Sequence, residues 1–203
     1  MAKITKKSLR QIVRISEGNS KIGKILNLNQ PPVITCPKNV PCATCGKCYS
    51  LKSWRQYPSV RESWSFNLDS VKNDSDNFFQ AVSDFVKISN NNEFFRWHSS
   101  GDIINAQYLE GMKKVALENP STQFLAFTKN QEIDITNLPS NLVIIASQWG
   151  DYKWGENAPK AIVRLKDENW EIPKNSILCP GSCVSCKACW NLIEGQAVIF
   201  DEH

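Results

Sequence analysis

Eight cysteines fall into two runs of four, Cys36-x5-Cys42-x2-Cys45-x2-Cys48 and Cys179-x3-Cys183-x2-Cys186-x2-Cys189, with none elsewhere in the chain. Each run opens on a Cys-Pro pair and closes on C-x2-C-x2-C. Thiols repeated in so similar a pattern read as ligands rather than as ordinary buried cysteines. Zinc sites draw on separate C-x2-C pairs that approach a tetrahedron from two sides. Three cysteines at successive three-residue steps wrap a larger object more naturally, a cubane whose fourth corner goes to a cysteine beside proline. In bacterial ferredoxins Cys-Pro follows the run, whereas here it precedes it. The leading expectation is therefore two iron–sulfur clusters of the 4Fe–4S type, fully ligated by all eight cysteines, with zinc as the alternative. Each run could hold its own cluster, Cys36 and Cys179 could exchange partners, or both runs could share one larger cluster.

Two further patterns bear on the chemistry. "CPGSCVSC" has the C-x3-C-x2-C spacing of radical S-adenosylmethionine enzymes, in which three cysteines leave one iron open. Here Cys189 is placed to fill that fourth position. "GNSKIGKI" matches G-x4-G-K but carries Ile25 where magnesium binding needs Ser or Thr, so it is not a nucleotide loop. Among other residue types, His98 in "FRWHSSGD" is one of two histidines, the other being His203. At a strand end beside Ser99, Ser100 and Asp102, it is a candidate base, ligand or hydrogen-bond donor. His98 and Asp102 are accordingly the candidate catalytic pair, and Ser100 a candidate donor to a cluster sulfur. A Ser-His-Asp hydrolase is excluded, because the three groups crowd together in sequence without a nucleophile elbow. Trp190, directly after Cys189, is placed to keep water from that cluster.

The elements that must position these groups alternate in type. "SLRQIVRIS" (8–16) has roughly helical spacing, and "PPVITCP" reads as extended. "DNFFQAVSDFVKIS" (76–89) is an amphipathic helix with Asp76 available as N-cap. Strands follow at 93–98, 123–128, 141–147, 161–165 and 176–178, with a helix at 105–120 stopped by Asn119-Pro120. This β-α-β alternation predicts an α/β fold with a mostly parallel sheet, either open or a partial β/α barrel. The segments "HSSGD", "TKN" and "SQWGD" and both cysteine runs then follow strands at their carboxyl ends, where sites form in such folds.

A chain of 203 residues fits one α/β domain, with residues 1–20 as a basic N-terminal extension. The opening "MAKITKKSLRQIVRIS" lacks a signal-peptide core, and no apolar run is long enough to cross a bilayer. The expectation is a cytoplasmic protein with no membrane partner, in a compartment where clustered thiols favour metal over disulfides. Residues 1–61 hold twelve Lys and Arg against one acid, a charge of +11, while residues 62–203 carry −7. The basic third is a solvated face, a counter-charge to metal-bound thiolates through Lys38, Lys47, Lys52 and Arg55, or a nucleic-acid surface. A redox partner protein follows from the electron-transfer reading.

With "GNSKIGK", "CPKNVPCATCGKCYS", "FRWHSSGD", "FLAFTKN", "NLVIIAS" and "CPGSCVSCKACW" in this order, the chain resembles the phage-borne gene product 88 family over roughly residues 18 to 190. The resemblance implies a phage or prophage origin, hence the host cytoplasm, and carries no established reaction. Ser50 departs from the alanine usual after Cys-Tyr.

Overall fold

The computed structural model describes residues 4–149, 154, 158–164 and 172–201. Its centre is a mostly parallel open sheet of eight strands. They are β1 (Ile15–Ser16), β2 (Leu26–Leu28), β3 (Phe94–Trp97), β4 (Gln123–Thr128), β5 (Leu142–Gln148), β6 (Lys160–Arg164), β7 (Ser176–Leu178) and β8 (Ala197–Asp201). The spatial order is β1-β2-β3-β4-β5-β6-β8-β7, and only β1 runs antiparallel to its neighbour. The strands expected from 93 to 178 form close to their expected bounds; Leu165 lies outside the described residues.

Side-chain alternation gives the sheet two unlike faces. Phe95, Trp97, Phe124, Ala126, Leu142 and Ile144 face one core, which the helices α4 (Pro58–Asn73), α5 (Ser75–Lys87) and α6 (Ala106–Glu118) help to fill. Phe94, Leu125, Phe127, Val143 and Ile145 face a second, smaller core. That face is covered by Ile22, Ile25, Trp190 and Leu192, not by long helices. In α6, Gly111 allows close helix packing, since a Cβ there would lie 2.2 Å from the Phe79 ring.

Three local expectations are corrected. The N-terminal helix α1 covers only Lys6–Leu9, not 8–16. Beyond it the Asn67 side chain takes the Arg14 backbone, accepting from its N–H (2.7 Å) and donating to its carbonyl (3.0 Å), and Ile15 pairs with Leu28 in the sheet. The N-cap of α5 is Asp74, which accepts from Asn77 N (3.0 Å), rather than Asp76. "PPVIT" is a turn rather than an extended segment: Ile34 N donates to Pro32 O (2.8 Å), and Val33 has φ 68°. The strand that leads to the first cysteine run is β2.

Candidate functional site

The first run is built on short helices beyond the carboxyl end of β2. Thr35 Oγ1 donates to Pro31 O (2.8 Å) and closes the turn before Cys36. Cys42 lies in α2 (Pro41–Thr44), which the fully buried Val40 anchors, and Cys45 caps that helix. Cys48 precedes α3 (Ser50–Gln56), accepting from Leu51 N at 3.0 Å. The Tyr49 hydroxyl donates to Ser99 O and ties this run to the loop after β3.

That loop is "HSSGD". His98 is buried in the left-handed region (φ 52°), its N–H donating to Leu28 O at 2.8 Å. Its Nε2 meets the buried Tyr108 hydroxyl (3.0 Å), which also accepts from Gln30 Nε2 (3.3 Å). Asn29 Oδ1 accepts from Ser100 N (3.1 Å), while Ser100 O accepts from Gln30 N (3.0 Å). Gly101 has φ 84°, and a Cβ there would meet Gln30 Cβ at 2.5 Å, so only glycine fits. Asp102 clamps the loop: Oδ1 accepts from Thr128 Oγ1 (2.6 Å) and Ile103 N (2.7 Å), and Oδ2 from Lys129 N (2.8 Å). The Asp102 carboxylate thus holds two loops together, while the His98 imidazole is oriented by Tyr108.

The second run leaves the carboxyl end of β7 and folds back over the sheet's second face. Cys179, Cys183 and Cys189 pack on the smaller core, with Trp190 2% exposed beneath them. Trp190 stands edge-on to Phe94, with ring centroids 5.5 Å apart, and its Nε1 donates to Phe95 O at 3.3 Å. Tryptophan shielding of this run is therefore present in the packing. Gly181 N donates to Cys179 Sγ (3.4 Å), Cys183 N donates to Lys21 O (2.9 Å), and the Lys187 ammonium reaches Cys183 O.

All eight cysteines are free thiols. Burial, followed by the Asp102 charge, pushes the Cys36 thiol up to about 12, and Cys42 and Cys48 add to the rise. Burial also raises Cys42, while Lys129 opposes that rise. In the second run burial lifts Cys189 to about 12, Arg96 opposes it, and Cys183, Cys179 and Cys186 reinforce it. Burial raises Cys183 likewise, against Arg96, Lys21 and Lys187. Each quartet is thus its own electrostatic neighbourhood. Among the described residues no three His, Cys, Asp or Glu side chains stand close enough to hold a single ion as placed. The donor chemistry fits a metal or cluster: four thiols per set, nearby cations and an N–H donor to sulfur.

At the carboxyl edge lies a cavity of about 190 Å³. Cys36, Cys42 and Cys48 line it together with His98, Ser100 and Asp102, so the first run and the "HSSGD" loop do meet there. The second run's cysteines are not part of its lining. Lys129, from the "TKN" segment expected at this edge, lines it too, whereas Arg96, Lys21, Phe127 and Phe200 were missed from the sequence. The signal for Arg96 was available: alternation along β3 sets it on the face opposite Phe95 and Trp97.

The molecule is a cysteine-rich α/β protein with two quartets of free thiols on one open, mostly parallel sheet. The chain belongs to the gene product 88 family, whose pattern it matches over residues 3–161, a span that contains the first quartet and ends before the second. No curated protein and no solved structure matches it. Among the described residues no helix is long and apolar enough to cross a membrane.

Proposed function

We propose that the protein binds an iron–sulfur cluster at each quartet, Cys36/Cys42/Cys45/Cys48 and Cys179/Cys183/Cys186/Cys189, and serves in electron transfer or cluster-based redox chemistry with a partner protein. The observation that carries this reading is the separation of eight free thiols into two local quartets. It favours one group per run over ligands exchanged between runs. Because Cys189 shares the neighbourhood of Cys179, Cys183 and Cys186, the reading favours complete ligation over a three-cysteine site with an open iron. A bound 4Fe–4S group supplies a one-electron couple, whose potential responds to hydrogen bonds and burial. The chain's own residues tune that environment. Gly181 N donates to Cys179 Sγ, and Trp190 and Phe94 limit water around the second quartet, whereas Cys45 of the first is exposed.

Iron, acid-labile sulfide and zinc analysis of anaerobically purified protein tests the reading. The expected outcome is brown protein with iron and sulfide in comparable amounts, bleached reversibly by dithionite. Colourless protein with stoichiometric zinc and no sulfide, after iron-replete anaerobic expression, overturns it.

A further inference from the structure

The cavity has a second wall that contains no cysteine. Arg96 lies over the Phe127 ring (4.6 Å to the centroid) and Lys21 over the Phe200 ring (5.9 Å). The two rings meet edge to face at 5.9 Å, so cations and aromatics form one continuous surface. All four residues line the cavity, as does Trp149. Lys21 is held there through its backbone, because its carbonyl accepts from Cys183 N at 2.9 Å.

Two buried residues of the lining, His98 and Ser100, keep unpaired polar atoms. Among the described residues, His98 Nδ1 and Ser100 Oγ have no hydrogen-bond partner, and neither does Arg96 Nε. Tyr108 Oη accepts from Gln30, so the arrangement that also uses its own proton donates it to His98 Nε2. That tautomer leaves Nδ1 carrying the hydrogen, a donor without an acceptor. Buried donors left unpaired cost free energy unless a ligand meets them. The acids of the lining do not compete for the cations at this wall. Both oxygens of Asp102 are engaged by Thr128, Ile103 and Lys129, and Asp201 pairs with Arg164 at 2.5 Å.

We infer that this cavity is a binding site for a small organic anion, with the carboxylate or phosphate met by Arg96, Lys21, His98 and Ser100 and the carbon body against Phe127, Phe200 and Trp149. An anion meets two cations and up to two neutral donors there, and an aromatic body packs on rings already edge to face. Its donors belong to neither quartet, although Cys36, Cys42 and Cys48 line the same cavity.

Calorimetric titration of anaerobically purified full-length protein with phenyl phosphate, benzoate, inorganic phosphate and benzyl alcohol tests the assignment. At least one aromatic anion should bind saturably with one site per chain, and benzyl alcohol and inorganic phosphate at least about tenfold more weakly. The stronger of phenyl phosphate and benzoate identifies the charged group. Arg96→Gln should weaken that anion about tenfold or more, and Lys21→Gln by a smaller factor, in protein of unchanged melting temperature. If Arg96→Gln proves unstable, Ser100→Ala, which removes only a hydroxyl, should still weaken the anion measurably. No saturable binding of either aromatic anion overturns the site, as does equal affinity for benzyl alcohol. Inorganic phosphate binding as tightly as phenyl phosphate overturns the organic part. Anion affinity unchanged in every folded variant overturns the residue assignment. Iron and sulfide are measured on the same samples, so anion binding by protein lacking both would leave this site standing while removing the cluster reading.

Discussion

The two quartets share a sequence pattern but not a setting. The first sits on short helices at the carboxyl edge, beside a cavity and the polar "HSSGD" loop, with Cys45 exposed. The second lies flat on a sheet face, where three of its four cysteines pack on the smaller apolar core above Trp190. One set opens on a cavity, whereas the other substitutes for the helical layer that a parallel sheet normally needs on its second face. Similar cysteine spacing therefore does not fix the setting, which comes from the surrounding fold.

The contrast is broken most directly by removing one thiol from each set. Cys189→Ser removes a thiol of the proposed second site and puts a hydroxyl against the smaller core, so it should cost more than about 4 kcal/mol, with loss of metal and soluble yield. Cys45→Ser should empty the first site yet cost less than Cys189→Ser, because the exposed Cys45 thiol supports no apolar packing in addition to its part in the site. Denaturant titration with metal analysis on both variants decides the matter; equal losses would remove the distinction. Trp190→Ala comes next, at about 3–4 kcal/mol, through the cavity left under the second run. A loss below about 1 kcal/mol would mean that the second face is not a core at all.

How far the sequence could reach follows from the same contrast. The strands from Phe94 to Leu178 and the helices α5 and α6 were legible, because their apolar residues recur at the period of the element. Helix α4 was not. Its buried stripe includes Asn67, fully buried because it bonds the Arg14 backbone and Asn29 O, and a polar residue in that role hides the helical period. Strand β2, three residues with Asn27 in the middle, was hidden for a related reason. The thiols and the "HSSGD" loop were legible from residue types alone. Alternation could have set Arg96 on the right face, but its stacking on Phe127, and that of Lys21 on Phe200, depends on which strands become neighbours.

A smaller effect concerns acid. Burial, and secondarily Arg96, push the His98 imidazole down to about 3, so it is neutral in the folded protein near neutral pH. Below the ordinary value of about 6.5, the unfolded chain takes up a proton that the folded one refuses, and stability falls as pH drops toward 3. The slope approaches about 1.4 kcal/mol per pH unit in that window, and His98 adds no pH dependence above it. Asp102 acts in the opposite sense. Burial raises its carboxyl, so acidification from that raised value down to its ordinary one favours the folded state. His98→Asn isolates the imidazole, since Asn tolerates the left-handed φ of 52° and does not titrate. The stability difference between wild type and His98→Asn should move in favour of the variant between about pH 7 and 5. A constant difference across that range would show that the imidazole is not held neutral.

The finest probe of the first quartet's independence is its link to the "HSSGD" loop. Tyr49 follows Cys48 directly, is largely exposed, and spends its hydroxyl on Ser99 O. Ser50 points its hydroxyl at the same carbonyl from 3.5 Å, the limit of a hydrogen bond. The carbonyl's main partner is therefore Tyr49, and the serine hydroxyl adds little. Tyr49→Phe should cost about 0.5–1.5 kcal/mol, and Ser50→Ala less than about 0.5. Because the bond joins the first quartet to the cavity loop, Tyr49→Phe should speed metal loss from the first site under chelator while the second site keeps its own rate. If both sites empty faster together, the quartets are coupled through the sheet, and their division into an edge site and a face site is wrong.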